Sequence, residues 1–143
     1  MKKQALTLVG VLSLLLVAGS ALAQTRGQIR ADVPFNFTVN HTNMPAGPYI
    51  ISTIGNGNGV LLVQSQDTKA ATFVTPNAVE ALKASNQTKL VFHCYGGDHC
   101  FLYQLWVSGA ARGQQLPRSA VEREVAANII NSRNVDVIAS NRK

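Results

Sequence analysis

Long hydrophobic runs are missing from this sequence after its first two dozen residues. No later stretch reaches the 18 or so apolar residues that a membrane-spanning helix needs, so no membrane span is expected there. Cysteine is scarce, with two residues in a chain of 143. In an exported protein, two cysteines indicate one disulfide rather than a thiol site. Internal repeats and low-complexity segments are also absent.

The motifs of common enzyme classes are missing too. The sequence has no Gly-x-Ser-x-Gly elbow, and no serine or cysteine is tied to a histidine and an acid by a recognisable spacing. Glu122 and Glu124 lie about 200° apart on a helix, so they cannot form the facing carboxylates of a glycosidase. The glycine-rich segment 55–59 precedes a strand-like run, not the helix that a phosphate loop needs. We therefore predict a non-enzymatic protein with no catalytic residues, no cofactor and no bound metal.

The N-terminus carries the three-part pattern of a secretory signal. Two lysines at positions 2 and 3 precede an apolar run over residues 5–18, and Ala21-Leu22-Ala23 forms a small-x-small cleavage site. We predict a signal peptide over residues 1–23, cleaved after Ala23, and a periplasmic or extracellular protein.

Positive charge exceeds negative charge only mildly. The formal net charge of +6 falls to about +4 when the two leader lysines are removed. Because the arginines do not share one helical face, a solvated surface is the simpler interpretation, with contact to anionic envelope polymers as the alternative. Nucleic acid binding is not expected. The remaining length suffices for one domain, over residues 24–139, before a disordered tail over 140–143.

Alternating apolar residues predict a mainly β protein. The odd positions from Ile29 to Val39 are apolar and the even ones polar, which indicates a strand with one buried face. Pro34 predicts an edge strand or a break in that strand. Apolar runs at 49–54 and 60–65 flank the glycine-asparagine loop and predict a hairpin.

Further strands and a helix complete the predicted fold. Residues 70–75 are predicted to form a strand with Phe73 in the core, and residues 135–139 are predicted to form a short edge strand. Residues 76–88 are predicted to form either a short helix or an irregular connector. Ser119 and Glu122 have capping-box spacing, and valines and isoleucines recur at helical intervals, so a helix is predicted over about 119–131. We expect a small antiparallel β-sandwich or partly open barrel with one C-terminal α-helix.

The segment from Lys89 to Val107 concentrates the side chains that could carry chemistry. It holds both cysteines, two of the three histidines and the only tryptophan, and a Gly-Gly pair at its centre predicts a hairpin. Apolar residues on both faces indicate a central pair of strands covered on both sides. Phe92, Phe101 and Trp106 are expected in the core.

Two cysteines and two histidines within this hairpin have the composition of a zinc site, but the pattern favours a disulfide. Cys94 is predicted to lie opposite Cys100, and alternation then places His93 and His99 on the other face of the sheet. Four ligands divided between two faces cannot complete a tetrahedron. Reduction of a disulfide that closes so short a loop is expected to be only mildly destabilising.

The histidine face remains the candidate functional surface. His93, His99, Tyr95 and Asp98 could form a surface site or bind a lone metal, whereas the simpler interpretation is a surface histidine pair at the end of a hairpin.

Several motifs together resemble an uncharacterised family of small exported bacterial proteins. They are Val33-Pro-Phe-Asn-Phe-Thr-Val39, Met44-Pro-Ala-Gly-Pro-Tyr49, Leu90-Val-Phe-His93 with Tyr95-Gly96, Phe101-Leu102 with Trp106, and Leu116-Pro-Arg-Ser119 with Glu122-Arg-Glu124. The resemblance covers residues 31 to 127 and implies a mostly β domain with a C-terminal helix, but no activity. The cysteines at 94 and 100 depart from the family pattern, which implies that the disulfide is an accessory of this member.

These observations lead to two hypotheses about function. The first is an exported non-enzymatic binding or structural module with an envelope or extracellular partner, acting near the hairpin tip or the glycine loop at 55–59. The alternative is a small metal-binding protein or enzyme that uses His93 and His99. The identity of the partner and the oligomeric state do not follow from the sequence.

Overall fold

The structure, a computed structural model, describes residues 26–56 and 59–142. The predicted signal peptide and its cleavage site lie outside these residues. The strands are β1 (Arg26–Val33), β2 (Phe37–Val39), β3 (Thr42–Met44), β4 (Gly47–Ile54), β5 (Val60–Ser65), β6 (Ala71–Val74), β7 (Asn77–Glu80), β8 (Lys89–Tyr95), β9 (His99–Trp106), β10 (Arg112–Gln115) and β11 (Ser132–Arg142), and the helix is α1 (Ala120–Asn128).

Nine of these strands form a nearly closed barrel. Their order is β3-β2-β9-β8-β11-β1-β4-β5-β6, and β10 extends the sheet by pairing with β9 and β7. The ends of the path approach each other where the Thr42 hydroxyl donates a hydrogen bond to Thr72 Oγ1 at 3.3 Å. The predicted mainly β fold, a sandwich or partly open barrel with one C-terminal helix, is confirmed in its barrel form.

The first predicted strand is divided between two strands of the barrel. Its apolar positions are buried as expected, from Ile29 at 5% exposure to Val39 at 0%, except Phe35, which is half-buried against the core. The chain breaks after Val33, since β1 ends there and β2 begins at Phe37. Pro34 marks this break, but β1 lies between β11 and β4. The break is therefore confirmed, and the edge-strand alternative is wrong.

The hairpin of β4 and β5 is confirmed, whereas the side-chain direction predicted for β6 is wrong. Val74 pairs with Leu61 and both point into the barrel, so alternation turns Phe73 outward. Phe73 is 60% exposed.

The sequence leaves two alternatives open for residues 76–88, a short helix or an irregular connector. The segment contains no helix, and part of it is a strand. Residues 77–80 are β7, which pairs antiparallel with β10. Gly113 of β10 lies so close to the Trp106 ring that a Cβ would come within 2.7 Å of Cε3. Glycine at this position lets β10 approach β9, and this long-range pairing outweighs the local signals.

The C-terminal strand is longer and more central than predicted. The first half of β11 pairs with β8 and the second half with β1, where Arg142 lies opposite Gln28. The predicted short strand over 135–139 and disordered tail over 140–143 are therefore corrected for the described residues up to 142. Backbone hydrogen bonds to two neighbours hold this polar segment in the barrel.

Helix α1 is shorter than the predicted span of 119–131. It is capped as predicted, because the Glu122 backbone N–H donates to Ser119 Oγ at 3.1 Å, and it ends at Asn128 before the extended backbone that leads into β11. The predicted apolar stripe is confirmed only in part: Val125 and Ile129 are half-buried, but Val121 is 42% exposed, and the fully buried residue of the helix is Glu122. No helix in the described ranges is long and apolar enough to span a membrane.

Candidate functional site

The two faces of the β8–β9 hairpin separate its cysteines from its histidines, as alternation predicted. Cys94 lies directly opposite Cys100, with 4.0 Å between their Cα atoms, and the two form a disulfide. Both residues belong to the barrel core. The disulfide prediction is confirmed, and the bond is compatible with export to an oxidising compartment.

Reducing this disulfide is expected to lower the free energy of unfolding by about 2 to 3 kcal/mol without unfolding the protein. The cost is at the low end for disulfides because the bond closes a loop with a sequence separation of only 6. Thermal unfolding with and without reductant measures it. Loss of the native fold at room temperature on reduction would contradict the prediction.

The outer face of the hairpin is covered by Glu122 of α1. One carboxylate oxygen, Glu122 Oε1, lies 3.1 Å from His93 Nδ1 and accepts a hydrogen bond from the Tyr95 hydroxyl at 3.0 Å. His93, Tyr95 and Glu122 are 9%, 4% and 4% exposed. A carboxylate that is withdrawn from water needs such partners, and these contacts fix the helix to the sheet.

Two further side chains complete this cluster. The Tyr103 ring stacks on the His93 ring with 3.6 Å between their centroids. Arg118 lies at the edge, with its Nε 3.9 Å from Glu122 Oε1. We call His93, Tyr95, Tyr103, Arg118 and Glu122 the helix-anchoring cluster, because its contacts join α1 and the segment before it to β8 and β9.

Burial raises the pKa of the Tyr95 hydroxyl, and the hydrogen bond and charge of Glu122 raise it further. Burial also raises the pKa of Tyr49, against a smaller lowering effect from Ser65. Both phenols ionise more readily in the unfolded chain. Their contribution to stability is therefore complete below the ordinary pKa of 10.0 and is lost as the pH rises above it.

We expect the free energy of unfolding to fall as the pH is raised above about 10. The Tyr95→Phe variant, which lacks one of the two phenols with a raised pKa, should show a shallower fall, although its stability at neutral pH is lower. Denaturant unfolding of the wild type and the variant between pH 8 and pH 11 measures both slopes. Equal slopes for Tyr95→Phe and the wild type would contradict the assignment.

The predicted site of four hairpin residues is divided by the structure. His93 and Tyr95 are buried in the helix-anchoring cluster, so their prediction as surface residues is wrong, because α1 covers this face. Asp98 and His99 lie at the exposed tip of the hairpin. The described residues contain no group of three or more His, Cys, Asp or Glu side chains placed to hold a metal ion.

The tip residues line a cleft instead. This cleft of about 380 Å³ lies where the start of β9 meets the β2–β3 hairpin, and we call it the tip cleft. Its lining residues are Asn36, Phe37, Thr38, Asn43, Met44, Pro45, Asp98, His99, Cys100 and Phe101. Cys100 ties one wall to β8 through the disulfide, so this wall is held in place covalently.

Two asparagines in the tip cleft are oriented by hydrogen bonds. Asn36 Oδ1 accepts from the backbone N–H of Ala46 at 2.9 Å, and Asn43 Oδ1 accepts from the Thr38 hydroxyl at 3.2 Å. Each bond uses the carbonyl side of the amide, which leaves the –NH₂ group as the donor for a ligand. Asn36, Asn43, Asp98 and His99 are all exposed.

Comparison with known proteins found no matching family, no matching curated protein and no matching solved structure. The resemblance to a family of small exported proteins stays a prediction.

Proposed function

We propose that this protein is an exported, non-enzymatic binding module that holds an envelope or extracellular ligand in the tip cleft. The observation that carries the proposal is the cleft itself, which combines exposed polar side chains with walls supplied by the barrel. Binding sites commonly have this form, a concave surface on a rigid scaffold with a few polar groups that fix orientation.

Export is part of the proposal. It is supported by the leader pattern over residues 1–23, by the disulfide and by the family resemblance. We expect protein recovered from the periplasm or the medium to begin at Gln24, because Ala21-Leu22-Ala23 fits the cleavage pattern. Mass spectrometry of the N-terminal peptide measures this, and a cytoplasmic protein that keeps its leader would contradict it.

A metal-binding role for His93 and His99 has less support from the geometry. His93 Nδ1 already faces the carboxylate of Glu122, and His93 is buried whereas His99 is exposed. Metal analysis of protein purified without chelator tests this alternative. Stoichiometric zinc or copper that is lost in the His93→Ala/His99→Ala variant would favour it over the proposed function.

The binding role is tested by a pull-down from the native envelope and extracellular fractions. The wild type is compared with Asp98→Ala/His99→Ala, which removes both charged or titratable groups of the tip cleft. The matched control, Glu124→Ala/Lys83→Ala, removes an exposed carboxylate and an exposed basic side chain at positions outside the tip cleft. We expect one component to be retained by the wild type and the control and at least about tenfold less by the cleft variant, a change of about 1.4 kcal/mol. Equal retention by all three proteins would contradict the proposal.

A further inference from the structure

We infer that the tip cleft binds a neutral, hydroxyl-rich ligand, the saccharide unit of an envelope or extracellular glycan. This inference rests on the proposed function and names its ligand class. It follows from the charge of the cleft, from its hydrogen-bonding groups and from the strands that form its walls.

The charge of the tip cleft selects against ions. Asp98 is the one carboxylate among the lining residues, and none of them is a lysine or arginine. A phosphate, sulfate or carboxylate ligand would meet a negative charge without a cation to pair with it. A metal ion would find one carboxylate and one imidazole, fewer side chains than protein metal sites use. A neutral ligand fits this lining best.

The tip cleft offers both hydrogen-bond donors and hydrogen-bond acceptors. The –NH₂ groups of Asn36 and Asn43 donate, because their carbonyl oxygens already accept from Ala46 and Thr38. The Asp98 carboxylate accepts, and the His99 ring can do either. A hydroxyl group also donates and accepts, so a ligand with several hydroxyls on a rigid ring can satisfy this mixed set. The oriented amides reduce the entropy that is lost on binding.

The walls favour a compact ligand over an extended peptide. A peptide that adds to a sheet needs a free edge strand, but β2 lies between β3 and β9, and β9 lies between β2 and β8. The end strand β3 faces β6 across the seam of the barrel, where Thr42 bonds Thr72. Recognition in the cleft must therefore rely mainly on side chains. A volume of about 380 Å³ is at the lower end of the range of ligand pockets, about 300 to 1,000 Å³.

The lone carboxylate also indicates binding rather than hydrolysis. Glycoside hydrolysis generally uses a pair of carboxylates that flank the scissile bond. The tip cleft contributes Asp98 alone among its lining residues.

The test is a titration of the ¹⁵N-labelled mature protein, followed by amide shifts in NMR. The neutral probes are cellobiose, maltose, lactose and N,N′-diacetylchitobiose. The comparison probes are glucose 6-phosphate, spermidine and tetra-alanine. We expect saturable shifts with at least one neutral disaccharide, centred on Asn36, Asn43 and residues 98–101. Asp98→Ala/His99→Ala should weaken this binding at least about tenfold, while Glu124→Ala/Lys83→Ala binds as the wild type does.

The remaining outcomes separate the inference from the proposed function. A stronger response in the cleft to the phosphate, the polyamine or the peptide overturns the saccharide assignment but leaves a binding module. No response to any neutral disaccharide also overturns the inference, even if the pull-down still shows retention that depends on the cleft. If that retention is absent as well, both the inference and the proposed function fail. The two substitutions are at exposed positions of the hairpin tip, and an unchanged thermal midpoint shows that the variant is folded.

Discussion

Replacing Glu122 by alanine is expected to lower the free energy of unfolding by about 3 to 5 kcal/mol. The carboxylate is 4% exposed and is the partner of both His93 Nδ1 and the Tyr95 hydroxyl. Its removal leaves two buried polar groups without this partner and a space between the helix and the sheet. An unsatisfied buried donor or acceptor alone costs about 1 to 3 kcal/mol. Denaturant unfolding of the wild type and the variant measures the difference.

Two other variants make this prediction specific. Glu122→Gln keeps an oxygen that can accept from Tyr95, so it should be less destabilised than Glu122→Ala. Glu124→Ala removes an exposed carboxylate from the same helix and should stay within about 0.5 kcal/mol of the wild type.

A double-mutant cycle of Glu122→Ala with Tyr95→Phe should show non-additivity, because both changes remove the same hydrogen bond. A stability of Glu122→Ala equal to that of Glu124→Ala would contradict the account of the helix-anchoring cluster.

Replacing Phe92 by alanine is expected to cost about 3 to 5 kcal/mol of stability through loss of contacts and an unfilled cavity. Phe92 is 0% exposed. Its ring meets Phe35 and Phe37 edge to face, with centroid distances of 5.1 and 5.2 Å. Phe35 precedes β2 and Phe37 opens it, so the contact joins β8 to a part of the chain far away in sequence.

The control for this second prediction is the exposed phenylalanine of β6. Phe73 is 60% exposed and points out of the barrel, so Phe73→Ala should cost less than about 1 kcal/mol. Equilibrium unfolding of both variants compares the same substitution on opposite faces of the sheet. If Phe73→Ala were as destabilising as Phe92→Ala, the side-chain direction described for β6 would be wrong.

Much of the barrel could be predicted because its signals are local. The alternation from Ile29 to Val39, the Gly-Asn loop before β5 and the Gly-Gly pair of the β8–β9 hairpin each specify structure within a few residues. The pairing of Cys94 with Cys100 followed from the same hairpin register. In β6 the local pattern misled, because Phe73 and Val74 are both apolar and only the pairing with β5 determines which one points inward.

The remaining parts depend on contacts between distant residues. The β7–β10 pair joins residues 77–80 to 112–115, and β11 completes the barrel between β8 and β1. The β7–β10 pair has no clear apolar alternation, and the alternation of β11 is confined to residues 135–139, so the sequence predicts only part of β11. The sequence predicts that the Glu122 side chain completes a capping box. In the structure this side chain faces the sheet, because the buried side chains of His93 and Tyr95 offer it hydrogen-bond partners.

For the same reason, only two of the four exposed polar residues of the tip cleft, Asp98 and His99, could be predicted from the sequence. Asp98 and His99 were named because they lie at the tip of a hairpin that the sequence shows clearly. Asn36 and Asn43 were missed, since only the parallel pairing of β2 with β9, through Thr38 and Phe101, brings them to that tip. The polar positions next to a strand break, as at Asn36 after Pro34, were the one local signal that could have pointed to them.

We propose that the hairpin acts through its exposed tip and not through its buried histidine. The most direct measurement is an amide-shift map of the ¹⁵N-labelled protein, recorded with and without an unlabelled extract of the native envelope. The account predicts shifts confined to residues 36–45 and 98–101, with His93 and Glu122 unaffected. Shifts centred on His93 and α1, with none at the tip cleft, would contradict it.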